Sequence, residues 1–331
     1  MVKVSVIVPC LNEEKTINLL LNALNLQTYP AHDFEIIIAD GMSTDGTREK
    51  IQEYGSAHPE LFIKLIENQK KTIPSGLNLA LQDANGEIII RLDAHSIPAK
   101  DYIEKCVSIL DKTKAANVGG RWDIQPVAQT WMAKSVAAAA SNPVGVGDAF
   151  YRYSETAGEV DTVPFGAYYK STAQELNGYD ESLLTNEDYE LNTRIREQGG
   201  KIWFDPSIRS IYFARPTLKA LAQQYYRYGY WKAQMIKRYP ATIKWRQALP
   251  PLFILSIIFF AVISFLLKFG WIFLVAELTI YVVILGLFGI RDSFRSKNLG
   301  LVLGEPLAIA TMHQCWGLGF LIGLFKVQRK Q

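Results

Sequence analysis

Glu35-Ile36-Ile37-Ile38-Ala39-Asp40 and Glu87-Ile88-Ile89-Ile90-Arg91-Leu92-Asp93 are the two stretches that decide the fold. Each runs branched aliphatic residues, which suit a strand buried on both faces, straight into a carboxylate. Around them, strands expected at Val4–Val8, Phe34–Ala39, Phe62–Ile66 and Ile88–Leu92 alternate with helical spacing at Asn12–Leu26, Thr47–Tyr54, Ile73–Asp83 and Asp101–Lys112. That alternation predicts an α/β domain built on a doubly wound, mostly parallel sheet. Ligands of such a sheet bind beyond the carboxyl ends of its strands, so Asp40 and Asp93 are expected to face one crevice. A third acid, Asp188 in Asn186-Glu187-Asp188, lies further along, where Glu187–Gln198 reads as a helix stopped by Gly199-Gly200 ahead of a strand at Ile202–Phe204.

A chain of 331 residues holds one sizeable α/β domain plus an appendage. Its formal charge of +3 excludes little, but the distribution is informative. Arg215 to Arg246 carries eight Lys or Arg and no Asp or Glu, interleaved with Tyr225, Tyr226, Tyr228, Tyr230, Trp231, Tyr239 and Trp245. Within it, Leu218–Tyr239 reads as a basic amphipathic helix meeting membrane lipid rather than nucleic acid. Cys10, Cys106 and Cys315 are odd in number and lack metal-ligand spacing, which argues against a disulfide framework and fits a reducing compartment. Because the strand at Val4 follows Met1 almost at once, no signal peptide is expected, and the catalytic part should stay in the cytosol.

Leu249 to Leu267 has no charged residue, and about 19 residues at 1.5 Å each give roughly 28 Å, close to the apolar thickness of a bilayer. Phe269 to Ile290 carries only Glu277, so the two runs read as a transmembrane hairpin turning at Lys268-Phe269-Gly270. A third run, Leu299 to Phe325, contains Glu305-Pro306, His313 and Gln314 and is compatible with spanning, re-entering or lying in the interface. Basic groups before the first helix (Lys244, Arg246) and after the second (Arg291, Arg295, Lys297) place both ends of the hairpin in the cytosol. Lys326, Arg329 and Lys330 prefer the same side, which conflicts with a single third crossing. The expected organisation is a catalytic domain over residues 1–215, an interfacial region over 216–246 and a membrane region over 247–331. The stretch Trp131 to Asp161, rich in Ala, Gly and Tyr, is expected to form an acceptor-side wall or a mobile loop.

Several constellations carry chemistry. Asp40 is placed to accept a hydrogen bond from a nucleobase or ribose, while Ser43 or Asp45 caps the following helix. Asp93-Ala94-His95 sets two potential metal ligands on one side of an extended segment. Carboxylate oxygen suits Mg²⁺ or Mn²⁺, and imidazole shifts the preference to Mn²⁺. An alternative for His95 is a hydrogen bond to substrate or to a backbone carbonyl. Asn186 is a candidate N-cap, with Glu187 and Asp188 favoured by the helix dipole; the functional alternative aims one carboxylate into the crevice as a base. Gln224 and Arg227 share a helix face at i, i+3, where their donors can hold a diphosphate. Lys232, Lys237 and Arg238 are expected to meet anionic headgroups.

Val6-Ile7-Val8-Pro9 with Asn12-Glu13, Asp40 with Ser43-Thr44-Asp45-Gly46-Thr47, Asp93-Ala94-His95, Asn186-Glu187-Asp188 and Gln224-x-x-Arg227 occur in the order found in family 2 glycosyltransferases of the GT-A fold, which the chain resembles over roughly residues 1–235. Asp161-Thr162-Val163-Pro164-Phe165-Gly166 and Arg227-Tyr228-Gly229-Tyr230-Trp231 look most like the succinoglycan-biosynthesis branch, whose members extend lipid-linked exopolysaccharide repeats at the cytoplasmic membrane face. The resemblance implies a GT-A nucleotide-diphospho-sugar transferase fold followed by membrane helices. It implies a UDP-sugar donor, glucose at the level of the branch, and a polyprenyl-diphosphate-linked saccharide acceptor. Pro9, Glu13, Asp40, Arg91 and Asp93 would bind the donor, with Asp93 and His95 on a Mn²⁺ or Mg²⁺ ion. Asp188 would be the base of an inverting displacement, and Gln224, Arg227 and Tyr228 would steady the diphosphate and acceptor. His95 stands where many members have Asp, and Tyr228 where Trp is usual.

Rival readings have their own signatures. A nicotinamide dehydrogenase needs Gly-x-Gly-x-x-Gly after the first strand, where this chain has Pro9-Cys10-Leu11-Asn12-Glu13-Glu14. A polyprenyl-phosphate sugar transferase, whose acceptor is the lipid phosphate, needs no base for a sugar hydroxyl. A non-catalytic membrane scaffold would share the fold and transfer nothing.

Overall fold

The computed structural model describes residues 2–267 and 269–326. Lys268 of the expected hairpin turn, and Arg329 and Lys330 of the basic C-terminal group, lie outside the described residues. In chain order the first elements are β1 (Val4–Cys10), α1 (Ile17–Asn25), β2 (Phe34–Asp40), α2 (Thr47–Ala57), β3 (Phe62–Glu67), α3 (Ile73–Asp83), β4 (Ile88–Arg91), β5 (Ile97–Pro98) and α4 (Tyr102–Thr113). Then come β6 (Asn117–Pro126), α5 (Trp131–Ser141), α6 (Pro143–Val146), β7 (Gly158–Glu159), β8 (Ala167–Tyr169), α7 (Lys170–Glu175), α8 (Glu187–Glu197) and β9 (Ile202–Ala214). Four long helices follow: α9 (Leu218–Arg238), α10 (Trp245–Leu266), α11 (Gly270–Ser296) and α12 (Leu301–Phe325). The chain divides into two compact units, one running to Asp123 and including Tyr153–Tyr212, the other made of Ile124–Arg152 and the chain from Phe213 onward.

In the first unit the strands among the described residues form one mixed sheet in the order β3-β2-β1-β4-β8-β6-β9-β5, with β7 on β9. The β3-β2-β1-β4 half is parallel, and β8 turns the sheet antiparallel against β4 and β6. The isoleucines of β2 and β4 are buried on both faces, as their sequence expects, and each is worth about 1.5–3 kcal/mol of burial. At the edge, β3 alternates exposed and half-buried residues instead. β1 runs past the expected stop at Val8. Its pairing with β4 ends at Ile7–Arg91, so Pro9 pairs only with Ala39 of β2, and the missing N–H of Pro9 leaves no gap in the ladder. Helix α1 starts at Ile17 rather than Asn12, because Asn12 takes a left-handed conformation (φ 56°) and opens a turn.

Strands β1, β2 and β3 step to one side, and β4 returns to the other side of β1. That reversal is the topological switch point, where adjacent connections part and leave a crevice. Cys10 lies opposite Asp40, and Arg91 opposite Ile7, so Pro9, Asp40 and Arg91–Asp93 all sit at these carboxyl ends.

In the second unit, α12 packs on α9, α5, α10 and α11. Trp131–Ser141, expected as a wall or loop, is helix α5, capped by the Thr130 hydroxyl accepting the Ala133 N–H at 3.2 Å. The alanines that blurred its periodicity are its packing face: Val136, Ala137 and Ala139 share a buried cluster with Leu221 and Tyr225 of α9 and Ala308, Ile309 and Met312 of α12. Helices α9 and α12 cross closely. A Cβ on Gly229 would lie 2.0 Å from the Trp316 carbonyl oxygen, and one on Gly319 would lie 2.1 Å from that of Tyr226. Small residues four apart (Gly319, Gly323) thus serve the close approach usual for apolar helix pairs. Helices α10, α11 and α12 are each long and apolar enough to cross a membrane. Residues such as Phe265, Phe273, Ile280 and Val282 are exposed on the first two, as lipid-facing surfaces require. The third apolar run, compatible by sequence with spanning, re-entering or lying in the interface, is one continuous helix with Pro306 near its start.

Candidate active site

Arg91 ends β4 and is only 3% exposed. A guanidinium cannot lose its proton at neutral pH, so its burial demands partners. Nη2 lies 2.9 Å from Asp93 Oδ1 and 3.1 Å from Glu187 Oε1, and Nη1 lies 3.3 Å from Asp188 Oδ2. The ring of Phe165 stacks 5.1 Å from the guanidinium carbon. Burial alone would lower the pKa of Arg91, but Asp188, Asp93 and Glu187 more than offset it and raise it. With three carboxylates around one guanidinium, the cluster carries an excess of negative charge. Arg91, expected to touch the donor, is buried with its terminal nitrogens on three carboxylates.

Glu187 and Asp188 open α8, and burial pushes both carboxyls above the ordinary carboxylate range. Arg91 opposes the rise in both; Asp188 adds to it for Glu187, and Asp93 adds to it for Asp188. Asp188 keeps 20% of its side chain exposed against 10% for Glu187, so it is the acid with access. It also accepts a backbone hydrogen bond from Phe165, which holds a left-handed conformation (φ 52°). A non-glycine residue held there marks a loop over-determined by its surroundings. The Phe165 carbonyl accepts the Tyr102 hydroxyl at 3.2 Å, and Asn192 donates to Thr162 Oγ1 and the Val163 carbonyl. Asn186 departs from expectation: it stands at the N-cap position in a left-handed conformation (φ 70°), not the extended one a capping residue takes, and its side chain caps nothing.

Asp93 and His95 are neighbours, but not on the extended segment their spacing predicts: Ala94 and His95 lie in a turn that the Ser96 N–H closes on the Asp93 carbonyl at 3.0 Å, with Leu92, Ala94 and Ser96 buried between and beside them. His95 Nε2 faces Asp93 Oδ2 at 3.9 Å, and Nδ1 meets Glu13 Oε1 at 2.9 Å. The Thr16 hydroxyl donates to the other Glu13 oxygen, and the Glu13 N–H donates to Thr47 Oγ1 at 2.8 Å. Among the described residues no three His, Cys, Asp or Glu gather as a metal-ligand group. Two protein ligands beside excess negative charge still fit a cation of the Mg²⁺ class, which keeps its other positions for phosphate oxygens and water.

Asp40 is held within its own turn. Its carboxylate has no exposed surface; Oδ1 accepts the Ser43 hydroxyl at 2.5 Å, and Oδ2 accepts the Ser43 N–H at 3.1 Å and pairs with Arg48 at 3.2 Å. It fixes the β2–α2 turn. The turn also holds Asn12, whose N–H donates to Ser43 Oγ and whose Oδ1 accepts the Thr44 N–H. Asp45 precedes the actual N-cap, Gly46, and accepts the N–H and hydroxyl of Thr47 two residues on; that hydroxyl holds its pKa down. Pro9 is half-buried at the end of β1.

Gln224, Arg227 and Tyr228 lie on α9 in the second unit. Gln224 Nε2 donates to the Tyr228 hydroxyl at 3.0 Å, an i, i+4 contact. Arg227 is exposed and makes no ion pair among the described residues. Lys232 and Lys237, expected at lipid headgroups, both donate to backbone carbonyls. Lys232 is 5% exposed and donates to the Thr242 carbonyl at 3.0 Å. Lys237, with Gln234, donates to the Gly323 and Lys326 carbonyls at the end of α12, where a cation also meets the helix dipole.

Sequence reasoning missed the Glu13–His95 contact, the Asp40–Arg48 pair and the grip of Glu187 on Arg91. One signal was present: Arg91 is a lone charge inside a buried apolar strand, and such a charge needs an acid from elsewhere in the chain.

The description "Glycosyl transferase family 2" matches residues 5–168. Two relatives align over nearly the whole chain. The dolichyl N-acetyl-alpha-D-glucosaminyl phosphate 3-beta-D-2,3-diacetamido-2,3-dideoxy-beta-D-glucuronosyltransferase of Methanococcus voltae is 29% identical over 98% of this chain and 97% of its own length. The succinoglycan biosynthesis protein ExoA of Rhizobium meliloti (strain 1021) is 29% identical over 98% of this chain and 96% of its own length. Among solved structures, the mannosyltransferase PcManGT of Pyrobaculum calidifontis, in complex with GDP-Man and Mn²⁺, superposes with a TM-score of 0.64 at 19% identity, covering 98% of this chain and 87% of that one. Matched motifs, full-length relatives and a shared fold agree: the chain belongs to the family 2 glycosyltransferases and is a glycosyltransferase of the GT-A fold with C-terminal helices fit to span a membrane.

Proposed function

We propose that this enzyme moves a hexose, glucose by its likeness to the succinoglycan branch, from a UDP-sugar to a polyprenyl-diphosphate-linked saccharide, with inversion at the anomeric carbon. The observation that carries the reading is the convergence of Asp93, Glu187 and Asp188 on buried Arg91 at the strand ends, beside the Glu13–His95 pair. The names of the two full-length relatives, one acting on a dolichyl phosphate sugar and one in exopolysaccharide synthesis, support a lipid-linked acceptor. The basic groups flanking α10 and α11 support a catalytic domain on the cytoplasmic face.

In this mechanism the acceptor hydroxyl oxygen attacks the anomeric carbon as the bond to the nucleoside diphosphate breaks, and Asp188 takes the hydroxyl proton. A carboxylate made more basic by burial, yet still reachable, suits that role. Arg91 keeps Asp188 and Glu187 in place and balances their charge. Asp93 and His95 would hold a Mn²⁺ or Mg²⁺ ion, which when bound stabilises the charge developing on the leaving diphosphate. Exposed Arg227 supplies a forked donor suited to phosphate oxygens.

A panel of radiolabelled nucleotide sugars, offered to membranes containing the enzyme with Mn²⁺ and to matched membranes with the Asp188→Asn variant, tests the reading. Label entering the lipid fraction from one donor, lost in Asp188→Asn, supports it. Equal transfer by the variant removes the base and favours a lipid phosphate acceptor, and no transfer from any donor removes the proposed substrate class.

A further inference from the structure

The Glu13–His95 contact joins residues far apart in sequence, from the β1–α1 turn and the segment after β4. An ionised carboxylate only accepts, so a hydrogen bond of 2.9 Å to His95 Nδ1 requires that nitrogen to carry the proton. In the neutral ring Nε2 then carries the lone pair that a metal needs, and it is the nitrogen turned to Asp93 Oδ2. Glu13 is itself braced: Thr16 donates to its second carboxylate oxygen, and its own N–H is tied to Thr47 Oγ1. A braced acid holding one imidazole nitrogen while the other faces a carboxylate is how proteins orient a metal-binding histidine.

We infer that Glu13 is a positioning residue for His95, setting its tautomer and ring orientation so that Asp93 and His95 together form a nitrogen-and-oxygen ligand pair selective for Mn²⁺. The inference rests on the cation reading of Asp93 and His95 given above, and it moves Glu13 from the nucleotide to the support of a ligand. A nitrogen donor favours Mn²⁺ over Mg²⁺, whereas an all-oxygen pair discriminates less. Orientation by Glu13 should therefore influence both the affinity and the selectivity of the site.

The test is Mn²⁺ binding to the detergent-solubilised full chain at saturating UDP, followed by electron paramagnetic resonance of free Mn²⁺, with Mg²⁺ as competitor. Metal-free UDP affinity is measured alongside. In Glu13→Leu the Mn²⁺ dissociation constant should rise about 10–100-fold and the Mn²⁺/Mg²⁺ preference should narrow, with metal-free UDP affinity unchanged. Glu13→Gln, whose carbonyl still accepts from Nδ1, should fall between wild type and Glu13→Leu. His95→Ala should weaken Mn²⁺ comparably, and adding Glu13→Leu to it should cost little more.

If His95→Ala leaves Mn²⁺ affinity intact, the cation reading itself fails and this inference with it. If His95→Ala weakens Mn²⁺ but Glu13→Leu does not, only the role of Glu13 is overturned. A loss of metal-free UDP affinity in Glu13→Leu matching its Mn²⁺ loss would return Glu13 to the nucleotide.

Discussion

Replacing Arg91 by methionine keeps the length of the side chain and removes its charge. Three carboxylates now held at 2.9, 3.1 and 3.3 Å would lose their common partner. Glu187 is the most buried of the three, with 10% of its side chain exposed, while Asp93 and Asp188 keep about a fifth and are partly screened by solvent. Removing one partner of a buried pair costs about 3–5 kcal/mol, and the Glu187 contact is the one to which that figure applies. For a domain of this size the loss corresponds to a fall of about 6–20 °C in apparent Tm. The sign of the pH effect follows from the same groups. Burial raises Glu187 and Asp188, and Arg91 opposes the rise. A carboxyl raised in the folded state contributes stability below its unfolded pKa and loses it as pH rises through the folded value. Without Arg91 both values climb further, so the deficit of Arg91→Met should be largest at about pH 8 and shrink towards about pH 5. Adding Glu187→Gln removes the stranded charge and should restore part of the loss, a coupling of about 1–3 kcal/mol. Thermal melts of the detergent-solubilised chain over that pH range read all of this. Losses that simply add in the double variant, or a deficit independent of pH, would refute the account of Arg91 as the hub of these acids.

Asp188→Asn should lower transfer by at least about 10²-fold while nucleotide binding by calorimetry is retained. In the wild type, kcat/KM should decline as pH falls through a value above the ordinary carboxylate range, because the base must be ionised and burial raises Asp188; a profile flat down to about pH 4 would argue against it. Asp40→Ala should cost about 1–3 kcal/mol in melts by leaving Ser43 and Arg48 without their acceptor, even if no substrate touches Asp40. Gly319→Leu should disrupt the packing of α9 on α12, since even a Cβ there would lie 2.1 Å from the Tyr226 carbonyl oxygen; limited proteolysis of the detergent-solubilised chain should show new cleavage in α9.

The parallel half of the sheet was legible because isoleucine runs and βα turns are local signals, and β2 and β4 follow them to within a residue. Asp93 and His95 do come together after a buried strand, though through the turn closed by Ser96 and not through strand alternation. What escaped is what depends on distant partners. Asp40 looked available, but Arg48, in the first turn of α2, pairs with it. The Glu13–His95 contact escaped because nothing near Glu13 in sequence announces His95. Lys232 and Lys237 looked like headgroup binders on a basic stretch, but the carbonyls they satisfy belong to Thr242, Gly323 and Lys326. Helix α5 escaped because alanine packs anywhere and gives a weak period, its face being set by α9 and α12.

The most direct measurement is a structure of the full chain bound to UDP and Mn²⁺. The account places the cation on Asp93 and His95 with the diphosphate beside it, and leaves Asp188 open to the space where an acceptor hydroxyl would arrive. Density for the nucleotide away from the ends of β1 and β4, or a cation that ignores Asp93, would contradict it.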